Sequence, residues 1–213
     1  MKAMDNPRRH IMKRFGTALA VTVAMSIALA TPTTVAGQDQ EANAQKRPTA
    51  ADVIDTAQAL EQARVAGLTD EEAVELQAKV EKEIALTDGI QVAANEVLWG
   101  DGAGATTIPL PGERYARRLG SPQPQQYARC DPEEFCTFEG SVYRGKMRRY
   151  WKCDVHPTLY YFYSWVNNQV PQGSARTVAT FYGADISRNT PPAYSRNPNT
   201  TVGDWSLWLR NCR

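Results

Sequence analysis

Four cysteines carry the most definite chemistry in this sequence of 213 residues: Cys130, Cys136, Cys153 and Cys212. Such thiols either pair as disulfides or bind a metal, and His156 could supply a further zinc ligand close to Cys153. The spacing between Cys130 and Cys136 does not give the close pair of a zinc knuckle, so we favour disulfides. Of the three possible connectivities we favour Cys130–Cys136 and Cys153–Cys212, because the second bond ties the chain end to the body of its domain.

A catalytic site would have to be built around His156, the only histidine after the N-terminal apolar run. Asp154 or a serine could partner it, but a lone histidine in a loop after a cysteine is more typical of a solvated surface. Glu133 and Glu134 could form a carboxylate pair, although a charged turn fits the same residues. We therefore expect a protein that is not an enzyme and that holds no cofactor and no metal.

A basic stretch runs from Lys146 to Lys152. On a β-strand, Lys146, Arg148 and Lys152 point to one face together with Tyr150. This basic face could bind a polyanion such as cell-wall polymer, nucleic acid or anionic lipid. The same residues could instead form an ordinary solvated face, or one covered by an acidic segment of the same chain.

Residues 1–37 have the pattern of an export signal, with basic residues before an apolar run from Thr17 to Ala30 and small residues after it. A plain secretory signal is favoured over a twin-arginine signal, for which Arg8 and Arg9 provide the pattern. Cleavage could follow Ala30, Ala36 or Gly37, with the last two preferred. The run is short for a membrane span, so we expect an extracellular protein with no stable membrane insertion after cleavage.

Charge and aromatic content divide the exported chain at Gly112. Residues 38–112 hold 14 acidic and 5 basic residues, whereas residues 113–213 hold 8 acidic and 14 basic residues and 17 of the 19 aromatic side chains. Two different parts are therefore expected. The predicted order is a flexible leader (38–50), an acidic helical hairpin (51–88), a β-hairpin segment (89–112), a linker (113–126) and a disulfide-bonded β domain (127–213).

The helical hairpin is predicted from apolar residues at three- and four-residue steps, starting at Ala51 and interrupted at Gly67. The second helix should begin at Thr69, whose side chain can cap it while Glu72 reaches back to the Thr69 amide. Its predicted apolar face consists of Ala73, Leu76, Val80 and Ile84, and Gly89 ends it. Because that face is narrow, we expect it to need a partner surface.

After Tyr127, short segments rich in aromatic and β-branched residues predict an all-β sandwich or barrel. Within it stands FEGSVYRG, in which four residues separate Phe138 from Tyr143 and Gly145 follows. A glycine takes positive φ without a Cβ clash where a chain folds back over its own sheet. The two aromatic rings can then pack against each other and cover the fold-over.

FCTFEGSVYRG resembles the Greek-key motif of βγ-crystallin-like domains. The order of LQAKVEKEIALTDGIQVAANEVLWGDG, TTIPLPGERYAR, CDPEEFC, SWVNN and the terminal cysteine is similar to that of secreted actinobacterial proteins related to the Streptomyces metalloproteinase inhibitor family. The resemblance covers about residues 74–213. It implies a Greek-key sandwich with two disulfides behind the helical segment, and inhibition of a peptidase.

The chain also departs from that family. At the positions of the calcium motif common in these folds stand Leu159 and Tyr160, which offer no suitable side-chain oxygen, so calcium is not expected there. The second Greek key lacks its second aromatic residue. The family's peptidase-contacting residues match no position here, so inhibition is implied by analogy alone.

We therefore expect a secreted, monomeric, non-enzymatic protein resembling a peptidase inhibitor. Its partner would be a secreted protease, held by a rigid loop that the disulfides support. Asp154–Leu159 and Asn189–Thr200 are the candidate loops. The alternative is a binding or antimicrobial protein that recognises an anionic polymer through the basic face and exposed aromatic side chains.

Overall fold

The computed structural model describes residues 47–119, 129–170 and 177–212, which form two antiparallel sheets and two helices. The predicted signal peptide, most of the leader and the end of the linker lie outside these residues. The helices are α1 (Thr56–Val65) and α2 (Asp70–Thr87). The strands are β1 (Ile90–Ala93), β2 (Glu96–Trp99), β3 (Gly104–Thr107), β4 (Phe135–Phe138), β5 (Met147–Tyr150), β6 (Val155–Pro157), β7 (Ser164–Asn167), β8 (Thr180–Tyr182), β9 (Ser187–Asn189), β10 (Ser195–Asn197) and β11 (Trp208–Arg210).

The helices begin where side chains can cap them. The predicted cap of α2 is confirmed: the Glu72 amide donates to Thr69 Oγ1 (3.2 Å) and the Thr69 amide donates to Glu72 Oε2 (2.9 Å). The expectation that the first helix starts at Ala51 is wrong. α1 begins at Thr56, because the Asp55 side chain caps it by accepting a hydrogen bond from the Gln58 amide. Neither helix in the described ranges is long and apolar enough to cross a membrane.

A seven-stranded sheet in the order β1-β2-β3-β5-β4-β7-β10 organises the molecule. At its centre β3 pairs with β5, so residues from both sides of Gly112 share one continuous hydrogen-bonded sheet. The predicted hairpin around the glycine-rich GDGAG turn is present as β2 and β3. A strand from the acidic part thus supplies the backbone partner of the basic strand.

The second sheet has four strands in the order β6-β11-β8-β9. One face of this sheet packs on the seven-stranded sheet, since Phe181 of β8 and Leu209 of β11 belong to the same buried cluster as residues of the larger sheet. The largest rings of that cluster from the seven-stranded sheet are Trp99, Phe135, Tyr150 and Trp165. The expected β-rich body with large aromatic side chains in its core is therefore confirmed.

Helix α2 finds the partner surface that its narrow apolar face requires. Leu76 and Val80 pack against Val97 of β2 and Ile108. On the opposite face of the sheet, residues 113–119 do not run free as the predicted linker: Ala116 is 1% exposed and packs with Phe138 and Met147. Both faces of the sheet are thus covered where β3 and β5 meet.

Candidate functional site

The cysteines are paired as predicted. Cys130 bonds to Cys136 and Cys153 bonds to Cys212, so their sulfur atoms are not zinc ligands. His156 is only 5% exposed, which contradicts the solvated surface position expected for it. Its Nε2 lies 3.1 Å from the Lys152 carbonyl oxygen, and its ring packs on Trp99 and Tyr150.

The basic face predicted on β5 is not an open binding surface. Arg148 is 2% exposed and its Nη2 donates to Glu83 Oε1 over 2.6 Å. Lys146 Nζ lies 3.2 Å from Glu83 Oε2, so two of the three predicted binding residues form ion pairs with one carboxylate of α2. Lys152 is exposed. The alternation of side chains along the strand is as predicted. Of the alternatives for the basic face, cover by an acidic segment of the same chain is the one that the structure shows.

We call Glu83, Lys146, Arg148 and Thr106 the helix-side network. The Thr106 hydroxyl donates to Glu83 Oε1 (2.9 Å), and the Arg148 guanidinium lies 4.3 Å from the centre of the Tyr160 ring. Burial alone would raise the pKa of Glu83, but Arg148 and Lys146 outweigh it and hold the pKa below its ordinary value. Glu83 is therefore a structural anion rather than a free acid.

A second network surrounds Arg149, which points to the opposite face of the sheet and is fully buried. We call Arg149, Glu96, Glu134 and Asp131 the loop-side network. Arg149 pairs with Glu96, and its Nη1 lies 3.2 Å from Glu134 Oε1 and 4.0 Å from Asp131 Oδ2. Burial and the neighbouring Asp131 raise the pKa of Glu134 to about 8.

The two carboxylates considered as a catalytic pair, Glu133 and Glu134, differ in burial. The Glu133 side chain is 61% exposed and pairs with Arg47 over 3.0 Å, whereas the Glu134 side chain is 1% exposed. They do not face a common cleft as the acid and base of a hydrolase would. Glu134 belongs to the buried network, and Glu133 is a surface residue.

The stretch FEGSVYRG forms the connection between β4 and β5, and we call residues 139–145 the 139–145 loop. The Phe138 and Tyr143 rings pack edge to face with centroids 5.5 Å apart, and Gly145 has φ of 77°. The Gly145 amide donates to the Arg114 carbonyl (2.9 Å). The packing and the positive φ expected of these three residues are therefore present.

Hydrogen bonds fix the backbone of this loop from both sides. The Val142 amide donates to the Pro198 carbonyl (2.7 Å), and the Tyr143 amide donates to Ser164 Oγ (2.9 Å). The Ser164 hydroxyl in turn donates to the Gly140 carbonyl (2.6 Å). These bonds tie the loop to Pro198 and to Ser164 of β7, so its shape is set by the fold around it.

Val142 holds an unfavourable backbone conformation in this loop. Its φ is 56° and ψ is 39°, in the left-handed region that a β-branched residue rarely occupies. The cost is about 1–3 kcal/mol, and such strain persists where surrounding structure imposes it, often at functional sites. The Val142 side chain is 42% exposed, so burial in a core does not explain its presence.

The segment after β10 lies beside the loop. Pro198 accepts the bond from Val142, and the Thr200 amide donates to the Tyr163 carbonyl (2.9 Å). Val142, Tyr163 and Pro198 are all exposed, and we call these three residues the loop surface. A rigid surface with two apolar side chains and one aromatic side chain can contact another protein without first becoming ordered.

Sequence reasoning named the motif residues of the loop and expected one or two exposed aromatic side chains in the run YYFYSW, which contains Tyr163, but it missed Val142. No local pattern marks Val142, because its conformation follows from bonds to residues 164 and 198. No protein-family model, no curated protein and no solved structure matches the chain. The function is therefore proposed from the geometry of the site.

Proposed function

We propose that the chain is a secreted, non-enzymatic peptidase inhibitor that contacts its target through the loop surface. The observation that carries the proposal is the exposed Val142 held at positive φ by fixed hydrogen bonds. A loop whose shape is imposed before binding loses little conformational entropy when it enters a cleft. Inhibitors of this kind need such rigidity because a flexible loop would be cut as a substrate.

The candidate loops from the sequence contribute unequally to this proposal. Most of Asp154–Leu159 is not a loop, because Val155–Pro157 is paired with β11. Asn189–Thr200 contains Pro198, which holds Val142, so part of that segment belongs to the proposed contact surface. The target class remains the one implied by the resemblance, a secreted metallopeptidase.

Export and a Greek-key, βγ-crystallin-like arrangement are part of the same proposal. Two disulfides suit an oxidising compartment, and the N-terminal residues 1–37 have the pattern of a signal peptide. The packing of Phe138 on Tyr143 and the positive φ of Gly145 support the Greek-key assignment. Mass spectrometry of secreted protein would test export and locate the cleaved bond.

The polyanion alternative loses its main contact. It required Arg148 at the surface, whereas this side chain is 2% exposed and bonded to Glu83. A buried guanidinium already paired with a carboxylate does not release condensed counterions from a polymer. Peptidase binding is therefore the function we retain.

The test is inhibition of a panel of secreted metallo- and serine peptidases by the purified chain and three variants. Val142→Asp should reduce inhibition at least tenfold, because it places a charge at the centre of the contact. Val65→Asp, a change at another exposed valine, should have no effect. Val155→Asp tests the other candidate segment, Asp154–Leu159. Loss of inhibition in that variant alone would assign the contact to β6.

A change that relieves strain gives a second readout. Val142→Gly should raise the free energy of unfolding by about 1 kcal/mol, since glycine takes positive φ without a Cβ clash, while inhibition weakens. A variant that is more stable than wild type but inhibits more weakly would indicate that the strain at Val142 contributes to binding. An absence of inhibition by the unaltered chain at micromolar concentration across the panel would refute the proposed function.

A further inference from the structure

Three exposed arginines lie around the loop surface, and we call them the arginine group: Arg114, Arg144 and Arg196. Arg144 belongs to the 139–145 loop itself. The Arg114 carbonyl accepts the hydrogen bond from the Gly145 amide (2.9 Å), so Arg114 stands beside the end of the same loop. Two members of the group therefore start from backbone that the fold holds in place.

Arg196 approaches the loop from the other side. It lies on β10, the edge strand of the seven-stranded sheet, where it pairs with Val166 and stands two residues before Pro198. Burial raises the pKa of the Tyr143 hydroxyl, and the positive charge of Arg196 offsets part of that rise. The guanidinium of Arg196 is therefore close enough to the loop to act on Tyr143 electrostatically.

The carboxylates of the segments that form this surface are already neutralised. Glu113 pairs with Arg117 (2.8 Å), and Glu139 lies 3.8 Å from Lys146. Glu139 and the helix-side network together hold two cations and two carboxylates, so they leave no free anion. Within the described ranges, no carboxylate forms an ion pair with the arginine group. The exposed side chains around the loop surface therefore carry three positive charges in excess.

The loop surface has an apolar centre and a cationic border. Protein–protein contacts have this composition, with apolar and aromatic side chains at the centre, charged groups at the rim, and tyrosine and arginine enriched. A polyanionic polymer would instead need a groove of cations that follows its charges. A membrane surface would need larger apolar side chains than Val142 and Pro198 beside the single ring of Tyr163. The composition therefore favours a protein partner.

We propose that the loop surface binds a protein whose contacting surface is acidic, and that the arginine group pairs with carboxylates around the site that receives Val142. The inference rests on the proposed function: the target peptidase is one with an acidic rim around its cleft. A guanidinium offers two parallel N–H donors to a carboxylate, so each arginine supplies orientation as well as charge. Exposed charges at a rim attract the partner before contact, so they act chiefly on the rate of association.

The first experiment measures association and dissociation rate constants of the full chain with each peptidase that it inhibits. Association should slow at least tenfold when the salt is raised from 50 to 500 mM. The triple variant Arg114→Gln, Arg144→Gln, Arg196→Gln should associate at least tenfold more slowly at 50 mM salt, with a dissociation rate changed less than threefold. The control carries Arg188→Gln and Arg210→Gln, two exposed arginines of the smaller sheet, and should associate like wild type. Association that is independent of salt, or a triple variant as fast as wild type, would overturn the acidic partner and leave inhibition in place.

A peptide titration decides the inference even when no peptidase is inhibited. By heteronuclear NMR, an acetylated and amidated pentapeptide with four glutamates around one leucine should shift resonances of residues 142–145 and 194–197. At 50 mM salt it should bind at least tenfold more tightly than the same peptide with glutamines. Binding of the glutamate peptide without inhibition of any peptidase would refute the proposed function and retain the acidic partner.

Two results of the titration would overturn the acidic protein partner. One is equal affinity for the glutamate and glutamine peptides, or no binding of either at 5 mM. The other is binding to phosphatidylserine vesicles that the triple variant loses, with no preference for the glutamate peptide, because the partner would then be a membrane surface.

Discussion

The two faces of the seven-stranded sheet bury charge in different proportions. On one face Arg148 and Lys146 share the single carboxylate of Glu83, and the pKa of that carboxyl is lowered. On the other face Arg149 is shared by Glu96, Glu134 and Asp131, and the pKa of Glu134 rises to about 8. Burial raises the pKa of both carboxyls. At Glu83 the charges of Arg148 and Lys146 outweigh it, whereas at Glu134 burial and the neighbouring Asp131 outweigh the attraction of Arg118 and Arg47.

The largest effect should follow from removing a carboxylate partner of each arginine together with the neighbouring strand. A fragment of residues 113–213 lacks Glu83 and Glu96, and it also lacks β3, the hydrogen-bonding partner of β5. We expect it to be unfolded, because buried Arg148 would lose its carboxylate, Arg149 would lose one of its carboxylates and β5 would lose the strand beside it. Circular dichroism and proton NMR provide the measurement, with the fragment 47–213 as the folded control. A cooperative unfolding transition in the shorter fragment would separate the β domain from the acidic part.

The next largest effect concerns the helix-side network. Arg148→Met should lower the free energy of unfolding by about 3–5 kcal/mol, because it leaves Glu83 buried without its main partner. Adding Glu83→Leu should recover much of that loss, since an apolar pair needs no compensating charge. Urea denaturation at pH 7 measures both. If the double variant is less stable than the single one, the carboxylate has a role beyond pairing with Arg148.

Glu134 of the loop-side network should affect the pH dependence of stability. A carboxyl with a pKa of about 8 in the folded state binds a proton more tightly there than in the unfolded chain, where the ordinary value is 4.5. Its stabilising contribution is therefore complete below about pH 4.5 and disappears as the pH rises through 8. The free energy of unfolding should fall by about 1–3 kcal/mol over this interval, and Glu134→Gln should remove most of the slope.

The matched control for that experiment is Glu133→Gln, because Glu133 is the exposed neighbour in the sequence. It should leave the slope between pH 5 and 9 unchanged. Glu83 of the helix-side network contributes in the opposite sense. It stabilises the folded state at pH values above its unfolded pKa, and this contribution is lost as the pH falls through its lower folded pKa. A wild-type stability that rises from pH 5 to 9 would contradict the assignment of a raised pKa to Glu134.

The smallest effect comes from removing Lys146, the second cation beside Glu83 in the helix-side network. Lys146→Gln should lower the free energy of unfolding at pH 7 by about 0.5–1 kcal/mol, because Arg148 still neutralises Glu83. The difference from wild type should shrink as the pH falls through the lowered pKa of Glu83, because a protonated Glu83 no longer attracts Lys146. Lys152→Gln, an exposed lysine from the same predicted face, should change nothing. A loss as large as that of Arg148→Met would mean that Lys146 is the principal partner.

Local chemistry made part of this structure predictable. The cap at Thr69, the end of α2 before Gly89 and the turn at Gly100–Ala103 depend on residues close in sequence, and all three are as expected. The disulfide pairs were also predictable, since few cysteines leave few choices. Such features depend on short-range geometry that a sequence displays directly.

The contacts between distant segments were not predictable in the same way. Alternation along β5 was correct, and cover by the acidic segment was one of the alternatives, but a strand pattern does not decide between a covered and an open face. One signal was present: Glu83 lies three residues after Val80 and seven after Leu76, on the apolar stripe of α2. A carboxylate on a buried stripe requires a buried cation. Val142 offers no comparable signal, because its conformation is imposed by residues far away in sequence.

The position of β11 has a consequence for the timing of assembly. This last strand lies between β6 and β8, and in the described part of the chain it is the element that holds those two strands in one sheet. The smaller sheet therefore cannot close until residues 208–210 have been synthesised and are free to pair. Their arrival is the step that permits β6 and β8 to join, and Cys153–Cys212 then makes the closure covalent.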